Sequence, residues 1–244
     1  MIKKILITGC AQGLGYSLAL QFAKEDCYVF AVGRNLKQLQ ELTKQSSFIQ
    51  PIVADITTAH GQQKIIETVG NESLSIVHNA AIAEPMQFAN FSENSLRLHF
   101  ETNYFAPLLI TEKLLPLLKG QRVLHISSGA ASIPLAGLLP YCATKAAMEH
   151  TAQCLNAELN AREIYFANLR PGMIDTPMQS RLRNSSEEVL PNRKFYIDAK
   201  QAGQLVSPDK VAKFIAWVML KTANKTFSDS IWNIHDEKNK EWLE

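Results

Sequence analysis

Residues 3–19 read KKILITGCAQGLGYSLA, a short apolar run followed by three closely spaced glycines. Gly9, Gly13 and Gly15 lie where this run ends and where apolar residues begin to recur at helical spacing. Glycines at these points let the backbone turn tightly and approach a pyrophosphate, whose negative charge is favoured at a helix N-terminus. The stretch predicts a strand, a turn and a helix that bind a nucleotide, although a plain strand-to-helix turn would also fit.

The rest of the chain continues this alternation of short apolar runs with longer helical segments. The pattern predicts buried strands over residues 5–7, 28–32, 48–54, 75–78, 123–126, 164–169 and 231–234. It predicts helices over 13–25, 35–44, 57–69, 92–118, 141–161 and 207–222, with a kink or an early end at Pro107 and Pro116. Strands that alternate with helices indicate an α/β fold with a parallel sheet covered on both faces.

Length, charge and cysteine content narrow the class of protein. The 244 residues suit a single domain, and 25 basic against 23 acidic residues, mixed along the chain, do not indicate a nucleic-acid partner. Four cysteines without a CxxC pair predict neither a disulfide framework nor a metal site. The first apolar run is too short for a signal peptide or a membrane span, so we expect a cytoplasmic protein.

Residues 179–206, QSRLRNSSEEVLPNRKFYIDAKQAGQLV, are the one segment without a clear period. The segment is polar and interrupted, and long irregular insertions in a compact domain often form mobile lids. We expect it to cover the substrate pocket. The helix that follows has Ser207 as its cap and Pro208 in its first turn.

The second predicted strand ends in VFAVGRN, residues 29–35. An acidic residue at this place commonly binds a free ribose 2′-hydroxyl, but here Gly33 is followed by Arg34. A guanidinium matches the oxygens of a 2′-phosphate, which favours NADP(H) over NAD(H). A solvated surface role for Arg34 is the alternative.

Polar residues follow two further strands. Asp55 could accept a hydrogen bond from an adenine amino group, or it could cap the helix that begins near Thr57, and both roles can hold together. His78 is predicted to be a packed histidine at a strand end, because nothing near it in sequence would orient it as a base.

A possible catalytic pair lies in PYCATKAAMEH, residues 140–150. Tyr141 and Lys145 are four residues apart, so they share one face of a helix, although this spacing is also common by chance. Ser127 and Ser128 end the strand before them without a GxSxG elbow, which disfavours a hydrolase nucleophile.

Together these motifs resemble the short-chain dehydrogenase/reductase family over nearly the whole chain. The resemblance rests on TGxxxGxG, NAA, Asn103, Ser128, Tyr141 with Lys145, and RPGMIDT. It implies a Rossmann-type, doubly wound sheet of about seven strands, a nicotinamide cofactor, and a catalytic tetrad of Asn103, Ser128, Tyr141 and Lys145. The cofactor-binding positions it implies are Gly9, Gln12, Gly13, Leu14, Gly15, Arg34, Asn35, Asp55, Ile56, Asn79, Ala80, Ala81, Tyr141, Lys145, Pro171, Gly172, Ile174 and Thr176.

The chemistry of these side chains fits the implied roles. Tyr141 would give a proton to the developing oxyanion, and Lys145 together with an oxidised nicotinamide would favour the phenolate, since a free phenol has a pKa of about 10. Ser128 would orient the substrate oxygen. Asn103 would hold a water that links Lys145 to solvent, or would act only as an amide at a helix kink.

Two departures from the family pattern affect the cofactor site. Ala81 stands where the family usually has glycine, which adds a methyl group near the cofactor but leaves the backbone contact possible. Gln12 replaces a basic residue common in NADP-preferring members, so Arg34 carries most of the argument for NADP(H).

The last third of the chain is similar to the branch that contains sepiapterin reductase and the bacterial benzil reductases. The matching stretches are PGMIDTPMQSRLR, GQLVSPDKVA and SIWNIHDE, and Asp236 is the nearest match to an aspartate that anchors a pterin. The likeness implies an NADPH-dependent carbonyl reductase for a vicinal dicarbonyl or a pterin-like ketone. It also implies a homodimer or homotetramer packed through residues 92–118 and 141–161. The alternatives are an NAD(H)-dependent alcohol or hydroxysteroid-type dehydrogenase, and a non-catalytic protein that senses the cofactor.

Overall fold

A parallel sheet forms the centre of the computed structural model, which describes residues 2–90, 92–236 and 242. Within these residues seven strands pair in the order β3-β2-β1-β4-β5-β6-β7, every pair parallel. The strands are β1 Lys4–Thr8, β2 Tyr28–Gly33, β3 Ile49–Val53, β4 Ser75–His78, β5 Arg122–Ile126, β6 Tyr165–Arg170 and β7 Ile231–Asn233. The predicted strands and the doubly wound sheet are confirmed.

Helices cover both faces of this sheet. They are α1 Gly13–Lys24, α2 Leu36–Thr43, α3 Ala59–Val69, α4 Glu93–Phe100, α5 Ala106–Leu114, α6 Leu139–Leu159, α7 Pro177–Arg183, α8 Arg193–Gln201, α9 Pro208–Lys221 and α10 Asn224–Ser228. No helix in the described ranges is both long and apolar enough to cross a lipid bilayer.

The apolar side chains form two large clusters, one on each face of the sheet. Ile5 and Ile7 of β1 pack in one cluster with residues of α1 and α9, whereas Leu6 between them packs in the other with residues of α3, α5 and α6. Successive strand residues point to opposite faces, so a continuous apolar run fills both layers at once. Burial of each large apolar side chain contributes roughly 1.5–3 kcal/mol, which places most of the stabilisation in these two layers.

Short polar side chains begin several helices. Thr58 accepts a hydrogen bond from the Gly61 amide at 3.0 Å and Ser207 one from the Lys210 amide at 3.2 Å, so each satisfies a free N–H of a first turn. The cap predicted at Ser207 is confirmed. Because Thr58 caps α3, Asp55 does not hold that position.

The long helix predicted over residues 92–118 is broken. A π turn over Glu101–Phe105 separates α4 from α5, and a 3₁₀ turn over Leu115–Leu117 follows α5. Pro107 lies in the first turn of α5, directly after the π turn, and has no amide N–H to donate there, so the predicted helix is interrupted beside this proline.

Residues 179–206 are more regular than predicted. They contain most of α7 and all of α8, with Thr176 accepting from the Gln179 amide at 3.5 Å at the start of α7. Helices of seven and nine residues span about two turns, which is too short for apolar periodicity to be recognised in the sequence.

Candidate active site

The order of the strands reverses between β1 and β4, so their carboxyl ends border the crevice that such a switch point creates. In open α/β sheets this switch point is the usual place for a ligand. Asn79, just past β4, donates from Nδ2 to the Thr8 carbonyl at 2.9 Å and to the Gly9 carbonyl at 3.3 Å. The Asn79 and Ala80 amides both donate to the Thr8 hydroxyl at 3.1 Å. These bonds fix the turn after β1 against the turn after β4.

The glycine turn packs closely at the start of α1. Gly9 has a φ of +77°, and a Cβ on Gly15 would lie 2.1 Å from the Gly9 carbonyl oxygen. Gln12 begins α1 without a side-chain cap, so no side chain occupies the amide groups of the first turn. Bare backbone amides at a helix N-terminus are suited to a pyrophosphate, and this turn therefore fits a dinucleotide.

Segment 171–176 closes the other side of this turn. A Cβ on Gly13 would contact the Thr176 side chain at 3.4 Å, and Ile174 forms a parallel bridge with Val206. Sequence reasoning assigned both Gly13 and Thr176 to the cofactor, and the structure brings them together although they are far apart in the chain.

Arg34 and Asp55 lie at the ends of the neighbouring strands β2 and β3. The Arg34 side chain is 76% exposed, and its Nη1 is 4.0 Å from Asp55 Oδ2. Partial burial raises the pKa of Asp55, but hydrogen bonds from the Thr57 amide and hydroxyl, together with the charge of Arg34, outweigh it and lower that pKa below its ordinary value. Asp55 thus carries a negative charge at the edge of the crevice, next to a guanidinium that is free to reach a ligand.

Two predicted cofactor residues have their side chains elsewhere. Asn35 Oδ1 accepts from the Gln38 amide at 3.1 Å and so caps α2. The Ile56 side chain is buried in the apolar layer. Only the backbone of Ile56 is available to a ligand.

Tyr141, Lys145 and Ser128 meet on one wall of the crevice. Tyr141 and Lys145 lie one turn apart on α6, with Lys145 Nζ 5.6 Å from the centre of the Tyr141 ring. Ser128, which follows β5, lies near the Tyr141 hydroxyl and acts to lower the pKa of that phenol. The helix face inferred from spacing alone and the strand end therefore form one constellation.

The structure holds Tyr141 as a neutral phenol. Burial raises its pKa to about 12, against the hydrogen bond from Ser128, while Cys142 and Tyr196 raise it further. Burial also lowers the pKa of Lys145 to about 8, and the charge of Glu149 opposes that effect. Lys145 Nζ donates to the Ile126 carbonyl at 2.6 Å. The expected lowering of the phenol pKa by Lys145 is not among these effects: burial raises that pKa, and Ser128 is the group that acts to lower it.

Asn103 lies in the π turn and is buried. Its Oδ1 accepts from the Ile82 amide at 2.8 Å, while its Nδ2 donates to the Ile82 carbonyl at 2.9 Å and to the Thr144 hydroxyl at 3.1 Å. The amide thus fastens the helix break to the loop after β4 and to α6, which matches the kink alternative. The water-holding role of Asn103 stays a prediction.

The C-terminal stretch reaches the same crevice. His235 lies against the cofactor segment, since a Cβ on Gly172 would come within 2.5 Å of its Nε2. Asp236 follows in a turn in which its amide donates to the Asn233 carbonyl at 3.1 Å. The proposed contact of Asp236 with substrate stays a prediction, and Glu237 of the matching stretch lies outside the described residues.

Comparison with known proteins agrees with this geometry. A family model described as short chain dehydrogenase matches residues 3–187. The chain belongs to the short chain dehydrogenase family.

Among its relatives, the benzil reductase ((S)-benzoin forming) of Bacillus cereus is 31% identical over 231 residues, which cover 88% of this chain and 92% of the relative. A benzil reductase ((S)-benzoin forming) of Saccharomyces cerevisiae is 26% identical and covers 98% of both chains. The crystal structure of a short chain dehydrogenase/reductase from the same yeast has a TM-score of 0.88 at 25% identity and covers 98% of this chain and 99% of that one. The likeness to the benzil reductase branch, expected from the last third of the chain, is confirmed.

An apolar wall packs against Tyr141. Leu138, Leu182, Leu190 and Tyr196 form a small buried cluster, and Tyr141 packs against it. Three of the four come from residues 179–206, so the segment predicted as a lid does contribute side chains next to Tyr141. Sequence reasoning missed these residues, because their spacing within short helices carries no strong pattern.

Further buried polar groups lie close to this constellation, and of these Glu149 and His125 were not predicted from the sequence. Glu149 forms an ion pair with Arg170, and a signal for it existed, because it lies four residues after Lys145 on the same helix face. His78 and His125, paired in register on β4 and β5, stack with ring centres 5.3 Å apart. His78 Nε2 contacts the Thr111 hydroxyl at 2.8 Å, so its prediction as a packed residue is confirmed.

Proposed function

We propose that this chain is an NADPH-dependent carbonyl reductase for apolar vicinal dicarbonyls. The observation that carries the proposal is the meeting of Tyr141, Ser128 and Lys145 in a sheet whose first strand ends in the glycine turn. A phenol whose pKa is about 12 stays protonated at neutral pH and is available as a proton donor. This favours reduction of a ketone over oxidation of an alcohol.

The side chains have distinct tasks in that reaction. Ser128 donates a hydrogen bond to the substrate oxygen and orients it, and the Tyr141 hydroxyl protonates that oxygen as negative charge develops on it. The Lys145 ammonium stabilises the phenolate that Tyr141 leaves behind. Gly9, Gly15 and segment 171–176 would hold the nicotinamide cofactor, which supplies the hydride when it is bound.

The wall beside Tyr141 supports an apolar substrate. The side chains of its cluster are aliphatic or aromatic, and none of them is charged. Burial of apolar area is roughly proportional to the free energy gained, so an aryl group next to the reacting carbonyl would contribute most of the affinity. The names of the two benzil reductases point to the same substrate class, and the pterin-like alternative rests on Asp236.

A substrate panel tests the proposal directly. Purified protein with NADPH should consume the cofactor with benzil, more slowly with an aryl monoketone, and least with a ketose sugar, as read from nicotinamide absorbance. Cofactor binding without consumption by any ketone or by any alcohol in reverse would favour the non-catalytic sensor instead. Efficient oxidation of alcohols with NAD⁺ and poor reduction of diketones would favour the alcohol dehydrogenase.

Arg34 should set the preference between the two cofactors. Replacing it with alanine removes a charge-assisted hydrogen bond to a 2′-phosphate, which is worth about 1.5–3 kcal/mol, so the Kd for NADPH should rise roughly tenfold to a hundredfold. The Kd for NADH should change little, as measured by fluorescence titration. Lys24→Ala removes one exposed positive charge at the far end of α1 and is the matched control. Tighter NADH binding that Arg34→Ala leaves unchanged would overturn the choice of NADP(H).

Assembly and location belong to the same proposal. Leu98, Phe105 and Leu109 of α4, the π turn and α5 are large exposed apolar side chains, which supports a homodimer or homotetramer packed through this face. The four cysteines are free, which suits a reducing cytoplasm.

A further inference from the structure

Glu149 connects three elements that carry the candidate active site. Its side chain is buried, and Oε1 accepts from the Ser127 hydroxyl at 2.7 Å and from Arg170 Nε at 2.8 Å. Oε2 accepts from Arg170 Nη2 at 2.7 Å, so the guanidinium is held by two parallel bonds. One carboxylate therefore joins α6 to the ends of β5 and β6.

Each residue in this network is adjacent to a residue of the proposed machinery. Ser127 precedes Ser128, Arg170 precedes Pro171, and Glu149 lies one turn beyond Lys145 on α6. We propose that Glu149 is a positioning residue that fixes Lys145 and Ser128 relative to the cofactor segment at Pro171. This inference rests on the proposed function, because it assigns Glu149 a task within that reaction.

The ion pair between Glu149 and Arg170 does more than pack the three elements together. Taking the Glu149 carboxylate and much of the Arg170 side chain out of water is costly, and well-packed apolar side chains generally hold elements together at least as well. What a carboxylate adds is direction, through bidentate geometry, and charge. Both act on the residues that precede Ser128 and Pro171.

The charge of Glu149 also acts on Lys145. Burial lowers the pKa of Lys145 to about 8, and Glu149 raises it against that effect. The other charged or titratable groups in this region include Arg170, which is paired with Glu149, and Tyr141 on the same helix. His125 on β5 also faces Lys145, but burial lowers its pKa to about 3, so it is uncharged at neutral pH. Glu149 is thus the group that holds Lys145 in its charged form.

The charge of Lys145 determines how the rate of ketone reduction depends on pH. Lys145 stabilises the phenolate only while it is an ammonium, so ketone reduction should decline as pH rises through the pKa of Lys145. Loss of the Glu149 charge lowers that pKa and moves the decline to lower pH. Loss of a residue that only packs would lower activity without moving this alkaline decline, which is the alkaline limb of the pH–rate profile.

The experiment compares Glu149→Gln, Glu149→Asp and Ser127→Ala with Glu158→Gln, which removes an exposed charge from the same helix. We expect the alkaline limb of kcat for benzil reduction to move down by roughly one pH unit in Glu149→Gln. The limb should stay in place in Glu149→Asp and Ser127→Ala, with kcat lowered roughly threefold to tenfold by looser positioning. Glu158→Gln should match the unaltered protein.

A second readout does not need the reaction. NMR titration of the ¹³C-labelled lysines in the cofactor-free protein, with Lys145 assigned by Lys145→Arg, should show Lys145 titrating at lower pH in Glu149→Gln. If the unaltered protein reduces no ketone, the proposed function fails, while the titration still tests the effect of Glu149 on Lys145. If the protein is active but Glu149→Gln shifts neither limb nor titration, the inference is overturned. Should Glu149→Gln not fold, normal kcat in both Glu149→Asp and Ser127→Ala would overturn it.

Discussion

Tyr141→Phe should lower kcat for ketone reduction by about a hundredfold to ten-thousandfold, because it removes the proton donor and leaves the ring in place. The Tyr141 hydroxyl is neutral in the folded chain and lies near Ser128, so it is the group of this constellation that holds a transferable proton. NADPH affinity should change little, since the ring that packs against the apolar wall remains. Initial rates at saturating NADPH and benzil, with cofactor titration alongside, measure both effects.

Tyr28→Phe is the matched control for that experiment. It removes the hydroxyl of a tyrosine on β2, which donates to Gln50 Oε1 at 2.9 Å. This tyrosine belongs to a different element from the crevice wall, which α6 forms. The kcat of Tyr28→Phe should stay near that of the unaltered protein. Retention of more than about a tenth of the activity by Tyr141→Phe would rule out the proton-transfer role, since loss of a general acid costs at least about a hundredfold.

Gly15→Ala should be the most damaging single change in the cofactor crevice. The added Cβ would lie 2.1 Å from the Gly9 carbonyl oxygen and 2.6 Å from Asn79 Nδ2, so the turn after β1 must move away from the turn after β4. Overpacking of this kind costs about 1–3 kcal/mol of stability, and displacement of the turn should weaken NADPH binding at least tenfold. Denaturant unfolding and cofactor titration separate the two losses.

Gly129→Ala serves as the control for added volume. A Cβ there would meet only the Ile133 side chain, at 3.8 Å, so stability and NADPH affinity should be nearly unchanged. If Gly15→Ala bound NADPH as tightly as Gly129→Ala, the glycine turn would not be the pyrophosphate site.

The sheet was predictable because its signal is local. An apolar run such as Ile5-Leu6-Ile7 fills both core layers, and this pattern needs no knowledge of partners. The π turn at Glu101–Phe105 was not predictable, since its stabilising bonds join Asn103 to Ile82 and Thr144, 21 and 41 residues away in the chain. The sequence placed the proline beside the interruption of the helix, but it could not show which hydrogen bonds stabilise the π turn.

The candidate site likewise has one part that the sequence predicts and another that it does not. Tyr141 and Lys145 share a face through helical geometry alone, so their proximity was predictable. The network around Glu149 was not, because Ser127 and Arg170 are 22 and 21 residues from it and reach it only through the strand order. The protonation state of Tyr141 likewise depends on burial that includes Tyr196 of α8, a helix that the pattern of residues 179–206 does not reveal.

The stacked histidines on β4 and β5 make the stability of the fold sensitive to acid. Burial lowers the pKa of His125 to about 3 and that of His78 well below its ordinary value. Below a pH of about 6.5 the unfolded chain therefore binds two protons at these residues that the folded chain does not bind. Stability contributed by these groups is complete above that pH and is lost on acidification, by about 2.7 kcal/mol for each pH unit while both imidazoles remain neutral in the fold. Proton uptake during acid unfolding would measure this effect directly. The two buried side chains therefore make the free energy of unfolding depend on the acidity of the surroundings.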